Sequence, residues 1–272
     1  MSSRTEALHG AGARSTDSAA ALIATPRRGP MPAVPRLSVV VPTCGRPALL
    51  VRCLDALRAQ TLDPGAFEIV VVDDGRCDAT RTLVVTLAAE SAAPVVRYLR
   101  PPAGRRGPAQ ARNLGWLAAS GDVIAFTDDD TIPASDWLER GEAAMRERRG
   151  DGGRPFVALA GRVVVPTDGQ APTDHERMTQ GLERSEFVTA NAFVQRSALL
   201  EVGGFDERFT RAWREDSDLQ FTLQERAGPV GRCEDAVVLH PARRARCGVS
   251  LRQQKHALFE ALLYAQHPRE YR

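Results

Sequence analysis

The sequence predicts an α/β domain on a Rossmann-like, mainly parallel central sheet flanked by helices, with a mixed second half. Short β-branched runs alternate with amphipathic stretches of helix length, the early runs recur at βαβ spacing, and one of them runs straight into Asp128-Asp129-Asp130. Strand, crossover helix and next strand at that interval make right-handed βαβ units, whose sheet is covered on both faces. Ligands then belong at the carboxyl ends of the strands.

Taken in order, residues 1–35 are rich in Ala, Ser, Gly, Arg and Pro without apolar periodicity. They read as a disordered tail, since they offer too little apolar surface to offset the entropy of ordering. Residues 37–41 are a first strand closed by Pro42. Pro47 then opens a helix whose Leu50, Cys53, Leu54 and Leu57 share a face. Residues 69–72 make a second strand ending in Asp73-Asp74-Gly75, and Leu83, Val84, Leu87 and Ala88 mark the next helix. Residues 95–99 are a third strand; a helix follows over 108–120 with Gly121 as its stop, and residues 123–127 are the fourth strand. Ala111, Leu114 and Ala118 are the expected buried stripe of that third helix, which puts Arg112 and Asn113 off the core.

Beyond residue 135 the rhythm loosens. Helices are expected at 136–148 and 216–225, strands at 156–165, 187–194 and 236–239, and a closing amphipathic helix through Leu251, Leu258, Leu262 and Ala265. The expected division is a nucleotide-binding half (36–130), an acceptor half (131–241), and a basic loop with a C-terminal helix (242–272).

Composition narrows the partners. The 36 basic and 34 acidic residues leave a formal charge of +2, so no global field points to nucleic acid. Cys44, Cys53, Cys77, Cys233 and Cys247 are odd in number and contain no C-x-x-C pair, which argues against a disulfide framework or a zinc site and fits a reducing compartment. No apolar run approaches the roughly 18 residues of a membrane helix. The expectation is a cytoplasmic protein without a transmembrane segment, with contact at the inner membrane surface as the limit of its membrane association.

The chemistry concentrates at Asp128-Asp129-Asp130, at the end of the fourth strand. Alternation along an extended chain sets Asp128 and Asp130 on one side and turns Asp129 away. Two carboxylates facing one site repel unless a cation fills the gap, and hard oxygen ligands suit Mg²⁺ or Mn²⁺. The bland alternative is a solvated acidic turn capping the next helix; the position at a strand's carboxyl end favours the cation.

Pro42-Thr43, Val72-Asp73-Asp74-Gly75, Ala111-Arg112-Asn113, Asp128-Asp129-Asp130, Gly203-Gly204-Phe205-Asp206 and Glu215-Asp216-Ser217-Asp218-Leu219 follow one another as in the GT-A glycosyltransferases of family 2. The chain resembles that family over residues 36–241. The resemblance implies a GT-A fold and a metal-dependent, inverting transfer from a nucleotide diphosphate sugar, UDP first among the bases. The implied acceptor is a hydroxyl of a saccharide, a lipid-linked sugar or a small molecule, and the implied cofactor is Mn²⁺ or Mg²⁺.

By the same resemblance, Pro42 and Thr43 touch the nucleotide, Asp73 or Asp74 reads its base, and Arg112 approaches the nucleotide or diphosphate. Asp128 and Asp129 fall on the donor side. Asp130 binds the metal, with Asp128 at the ribose or the metal and His240 as a further ligand. Asp216, second in the family's E-D pair, is the implied general base, since an inverting displacement needs one carboxylate opposite the leaving group. Asn191, Gly203, Gly204, Trp213 and Glu215 are assigned to the sugar and acceptor pocket. Two departures stand out. Thr222 replaces an Arg common in relatives, and the Q-x-x-R-W string of processive synthases is missing, which favours transfer of a single sugar. Arg243-Arg244-Ala245-Arg246 either closes over the diphosphate, meets an anionic acceptor, or is a solvated basic loop.

No G-x-G-x-x-G follows the first strand and no G-x-x-x-x-G-K-[ST] string exists, which sets aside a dinucleotide dehydrogenase and a P-loop NTPase. The remaining alternatives are a non-catalytic nucleotide-sugar-binding module and a sugar nucleotidyltransferase on the same fold. The Gly-rich, Lys-bearing loop of the latter is absent.

Overall fold

The β-branched runs pair as parallel strands. In the computed structural model, which describes residues 34–90, 93–102, 104, 107–166, 172–243 and 256–271, β1 (Leu37–Thr43) lies between β2 (Phe67–Asp73) and β4 (Val123–Thr127). β3 (Val95–Leu99) pairs parallel with the outer side of β2. Every residue of β1 and β2 is buried, which is why these strands read as continuous apolar runs instead of alternating ones. The crossovers are α1 (Pro47–Arg58), α2 (Asp78–Glu90) and α3 (Pro108–Ala118). Pro47 and Pro108 open α1 and α3, where the missing N–H has no helical partner to lose.

The second half adds β5 (Ile132–Pro133), α4 (Trp137–Glu147), β6 (Ala158–Val164), α5 (Asp174–Gln180), β7 (Asn191–Gln195), α6 (Arg196–Val202), α7 (Glu215–Arg226), β8 (Val230–Leu239) and α8 (Ala257–Gln266). The eight strands form one sheet in the order β3-β2-β1-β4-β7-β6-β8-β5. β7 runs antiparallel to both β4 and β6, and β5 antiparallel to β8, so the sheet is mixed beyond β4.

Two apolar layers flank it. Val39, Val41, Ile69 and Val71 face Leu50, Leu54 and Trp137, whereas Val40, Val70 and Val72 face Trp116, Phe126 and Leu219. The period of two along β1 and β2 divides their side chains between the layers. Each such Val or Leu contributes about 1.5–3 kcal/mol by leaving water.

Several expectations are corrected. Residues 187–190 do not continue β7, although Phe187 and Val188 are buried; they form the approach to the strand. β8 begins at Val230, earlier than the apolar pattern indicates, because Arg232, Glu234 and Asp235 hide a strand that is exposed on one side. β5, α5 and α6 were not anticipated; each has seven residues or fewer, too short for periodicity to register. Leu258 is 71% exposed, and α8 buries Phe259 and Leu263 instead. Leu251, Arg244, Ala245, Arg246 and Cys247 lie outside the described residues, as do residues 1–33 of the expected tail.

The most consequential correction concerns α3. Arg112 and Asn113 are buried, at 3% and 8% exposure, although the apolar stripe places them off the core. One side of α3 rests on the sheet, where Gly115 sits so close that an added Cβ would lie 2.4 Å from Val40 Cγ1. The other side is covered by the segment after α6. Asn113 Nδ2 donates to Phe205 O at 2.8 Å, and Phe205 N donates to Asn113 Oδ1 at 2.9 Å. A helix covered on both sides has no solvent face for Arg112, and its polar residues serve buried partners.

Gly115→Ala is expected to destabilise the fold by about 1–3 kcal/mol through overpacking against Val40 and Val72. The gain in helix propensity, at most about 1 kcal/mol, offsets only part of this. Urea unfolding followed by circular dichroism measures it, and an unchanged midpoint would contradict the close α3–β1 contact.

Candidate active site

The carboxyl ends of β1, β2 and β4 meet on one edge of the sheet, and the acids of the sequence motifs collect there. Asp128 leaves β4 toward α3, where its Oδ1 accepts from Arg112 Nη2 at 2.8 Å. Asp130 lies on the same side, with its Oδ1 3.7 Å from His240 Nε2. One ligand atom from each of Asp128, Asp130 and His240 falls within 4.8 Å of the others. His240 reaches them because Ile132, two residues beyond Asp130, pairs with Leu239 across β5 and β8. A two-residue strand invisible in the sequence thus joins the triad.

Asp129 points away, as alternation requires. Its Oδ2 accepts from Thr43 Oγ1 at 2.6 Å, its Oδ1 lies 2.6 Å from Arg46 Nη2, and its side chain is wholly buried. The expected donor contact for Asp129 is corrected: the carboxylate is a strut between β4 and the loop after β1. Burial pushes its pKa up to about 6, with Arg46 and Thr43 pulling against it.

Arg112 stands at the centre of the other acids. Besides Asp128, it reaches Glu215 Oε1 from Nη1 at 3.0 Å. Burial works against its charge, but Asp128, Asp216 and Glu215 together raise its pKa further above the ordinary arginine value. Burial pushes Asp128 upward as well, and Arg112 and His240 reverse that, holding it below the usual carboxylate range. Glu215 is pushed up to about 8, first by burial and then by the Asp216 carboxylate, with Arg112 opposing. Asp216 is raised by burial, against Arg112 and a hydrogen bond from Thr189 Oγ1 to its Oδ1 of 2.6 Å. Three carboxylates therefore crowd one guanidinium; burial favours the protonated forms of Glu215 and Asp216, while Arg112 and His240 hold Asp128 toward the ionised form. Glu215 was expected in the acceptor pocket; at 2% exposure it braces Arg112 instead.

The end of β2 supplies Asp73 and Asp74. Asp73 is fully buried, and its Oδ2 accepts from Cys77 N at 2.7 Å and from Tyr98 Oη at 2.8 Å. Its Oδ1 is buried with no hydrogen-bond partner among the described residues. Asp74 accepts from Gly107 N at 3.1 Å. Pro42 and Thr43 end β1 directly opposite Val72 and Asp73 in the parallel register.

Four expected pocket residues have other duties. Asn191 is fully buried and its bonds are taken: Oδ1 accepts from Trp137 Nε1 at 2.8 Å, while Nδ2 donates to Arg162 O at 3.0 Å and Ala236 O at 2.9 Å. Gly203 ends α6 in the left-handed conformation at φ 84°. Gly204 follows at φ 76° and lies so close to α3 that a Cβ would meet Asn113 Oδ1 at 2.6 Å. Trp213 donates from Nε1 to Glu260 Oε1 at 2.7 Å and stacks on His256, which ties it to α8. Sequence reasoning missed Thr189 and Arg46. Nothing in their local pattern marks them, since each acts on an acid distant in the chain.

The model of Glycosyl transferase family 2 matches residues 38–203. The chain belongs to glycosyl transferase family 2. This glycosyltransferase is 31% identical over 235 residues to a validoxylamine A glucosyltransferase of Streptomyces hygroscopicus subsp. limoneus, covering 74% of this chain and 51% of that one. It thus spans about half the length of that curated relative. Among solved structures, it resembles a mannosyltransferase from Pyrobaculum calidifontis in complex with GDP-Man and Mn²⁺, with a TM-score of 0.66 and 22% identity over 87% of this chain and 65% of that one. It also resembles S. aureus TarS in complex with UDP-GlcNAc, with a TM-score of 0.61 and 17% identity over 85% and 66% of the two chains. At these identities the structural likeness establishes the GT-A fold of the glycosyltransferase.

The raised Glu215 pKa has a sign for stability. An acid that holds its proton more tightly when folded costs stability as pH rises from its unfolded value, near 4.5, through about 8. Stability of the wild type is therefore expected to fall across that window, and Glu215→Gln to flatten the fall. Urea midpoints from pH 4.5 to 9 check it; parallel curves for the two proteins would contradict the assignment.

Proposed function

We propose that this glycosyltransferase carries out a metal-dependent, inverting transfer from a nucleotide diphosphate sugar to an acceptor hydroxyl, with Asp216 as the general base. The observation that carries the reading is the position of Arg112. One guanidinium contacts Asp128 of the cation triad on one side and Glu215, the neighbour of Asp216, on the other. The acids assigned to the metal and to the base therefore flank one guanidinium, and a displacement needs such closeness when the leaving group and the proton acceptor flank one carbon.

Asp128, Asp130 and His240 form a donor set of two carboxylates and an imidazole, which fits Mn²⁺ or Mg²⁺. Bound there, the cation supplies Lewis-acid stabilisation of charge on the departing diphosphate. His240 Nδ1 is buried with no hydrogen-bond partner among the described residues, while Nε2 lies 3.7 Å from Asp130 Oδ1. Asp73, with one carboxylate oxygen unpaired, is the candidate reader of a base N–H, and Pro42 and Thr43 lie beside it. UDP is the first donor base to test, and GDP the second.

On the base side, Thr189 occupies Asp216 Oδ1 and thereby orients Oδ2 for the acceptor hydroxyl. Burial raises the proton affinity of Asp216, the direction that makes a carboxylate a better base. Oδ2 takes the hydroxyl proton as the acceptor oxygen bonds to the anomeric carbon and the bond to the diphosphate breaks. The acceptor is a hydroxyl of a saccharide, a lipid-linked sugar or a small molecule. Among the described residues no helix is long and apolar enough to cross a membrane. The place of action we assign is the cytoplasm, including the inner membrane surface.

The alternative of a binding module without turnover is separated by kinetics. Asp216→Asn is expected to lower transfer about 10²–10⁴-fold while donor affinity stays within a few-fold. Asp130→Ala is expected to abolish the Mn²⁺-dependent part of donor binding. A thermal-shift screen of UDP- and GDP-sugars with and without Mn²⁺ identifies the donor, and nucleoside diphosphate release then measures transfer. Near-normal transfer by Asp216→Asn would overturn the base, and binding without release in the wild type would establish the module.

A further inference from the structure

We infer that Arg46 is a positioning residue that sets the Asp130 carboxylate for a divalent cation, with Asp129 as its anchor; this rests on the metal reading proposed above. Arg46 ends the loop after β1 and immediately precedes α1. Its Nη2 lies 2.6 Å from Asp129 Oδ1 and its Nη1 donates to Asp130 Oδ2 at 3.3 Å. The planar fork thus spans the carboxylates of two successive residues that point to opposite sides of the chain.

The consequence falls on Asp130. Its Oδ2 is held toward the donor loop, which leaves Oδ1 as the oxygen facing His240 at 3.7 Å. That is the orientation in which Asp130 closes the triad with Asp128 and His240. The anchor is firm because Asp129 has no exposure and, among the described residues, no ion-pair partner other than Arg46, and a buried carboxylate stripped of its cation costs several kcal/mol. Arg243 Nε also approaches Asp130 Oδ2, at 2.9 Å, but its side chain is 49% exposed, where solvent screening leaves a pair little worth. Arg112 serves Asp128 in the parallel way, anchored on Glu215. Each carboxylate of the cation pair is thus oriented by a guanidinium that rests on a second acid. This accounts for Asp129, the residue of the acidic triplet whose oxygens serve neither cation nor donor.

The opposite role for Arg46 is a stand-in that neutralises the acids and yields its place to the cation. The two roles predict opposite signs. Removing a positioning residue weakens cation binding, whereas removing a competitor strengthens it.

The test titrates the full-length chain with Mn²⁺ alone and with UDP present, following free Mn²⁺ by electron paramagnetic resonance. Arg46→Gln is expected to raise the Mn²⁺ dissociation constant about 10–100-fold, the usual effect of losing a partner that orients a ligand. Arg46→Lys keeps the charge but loses the fork and is expected to recover only part of the affinity. The Arg46→Gln, Asp129→Asn double variant carries no buried unpaired charge, so it guards against a folding defect; it is expected to melt near the wild type and still bind Mn²⁺ weakly. Unchanged or tighter Mn²⁺ binding in the double variant would overturn the positioning role while leaving the metal reading intact. A wild type that binds no Mn²⁺ in either condition would sink the metal reading and this inference with it.

Discussion

The buried Arg112 guanidinium is the interaction on which the site depends. It is 3% exposed and stands among Asp128, Glu215 and Asp216, acids drawn from the end of β4 and the start of α7. Acids this close repel, and in a low-dielectric interior the repulsion would force them apart or protonate them. A permanently charged, forked donor holds them together: arginine keeps its charge when buried, where a lysine readily loses its proton. Loss of this group would leave carboxylates buried without a partner, a defect of several kcal/mol that no surface rearrangement repairs. The packing of α3 is the precondition. Gly115 lets the helix settle on Val40 and Val72, and Gly204 lets the returning chain close over Asn113 and Trp116, which leaves Arg112 between the acids and the Phe205 ring.

The start of α7, which carries Glu215 and Asp216, is held from outside by the C-terminal helix. Arg214 enters α7 in the left-handed conformation at φ 71°, a local cost of about 1–3 kcal/mol that surrounding structure must offset. Glu260 of α8 accepts from Arg214 Nε at 2.8 Å and from Trp213 Nε1 at 2.7 Å, and Tyr271 also donates to it. His267 pairs with Asp218 and Glu225 at 3.1 Å each, spanning successive turns of the acid-bearing helix. Phe209 packs against Phe259 and Leu263 beneath these contacts. The turn that presents Glu215 and Asp216 is therefore clamped between the sheet and α8, and Trp213 belongs to the clamp.

Much of this was legible in the sequence, and the illegible parts have a common cause. β1 to β4 and their crossover helices follow from β-branched runs, proline punctuation and helical spacing, because these signals are local and strong. The acidic strand end read correctly for the same reason: alternation is a property of the extended chain, and it separates Asp129 from Asp128 and Asp130 without any tertiary information. Arg112 did not read correctly, because burial of a helix on two sides depends on a segment about 90 residues away. Asn191 shares the failing; its three side-chain hydrogen bonds, with Trp137, Arg162 and Ala236, exist only once β6, β7 and β8 are adjacent. Thr189 looked like part of a strand, and its hydroxyl finds Asp216 only across the closed fold.

The sequence by itself determined the parallel half, the family motifs and the shared side of Asp128 and Asp130, since each is encoded within a few residues by backbone geometry. The tertiary structure alone decided which acid each arginine holds, which carboxylates burial pushes toward their protonated forms, and that His240 joins Asp128 and Asp130. Charge pairing, desolvation and ligand convergence depend on distances between residues remote in the chain, and those distances exist only after the sheet has closed.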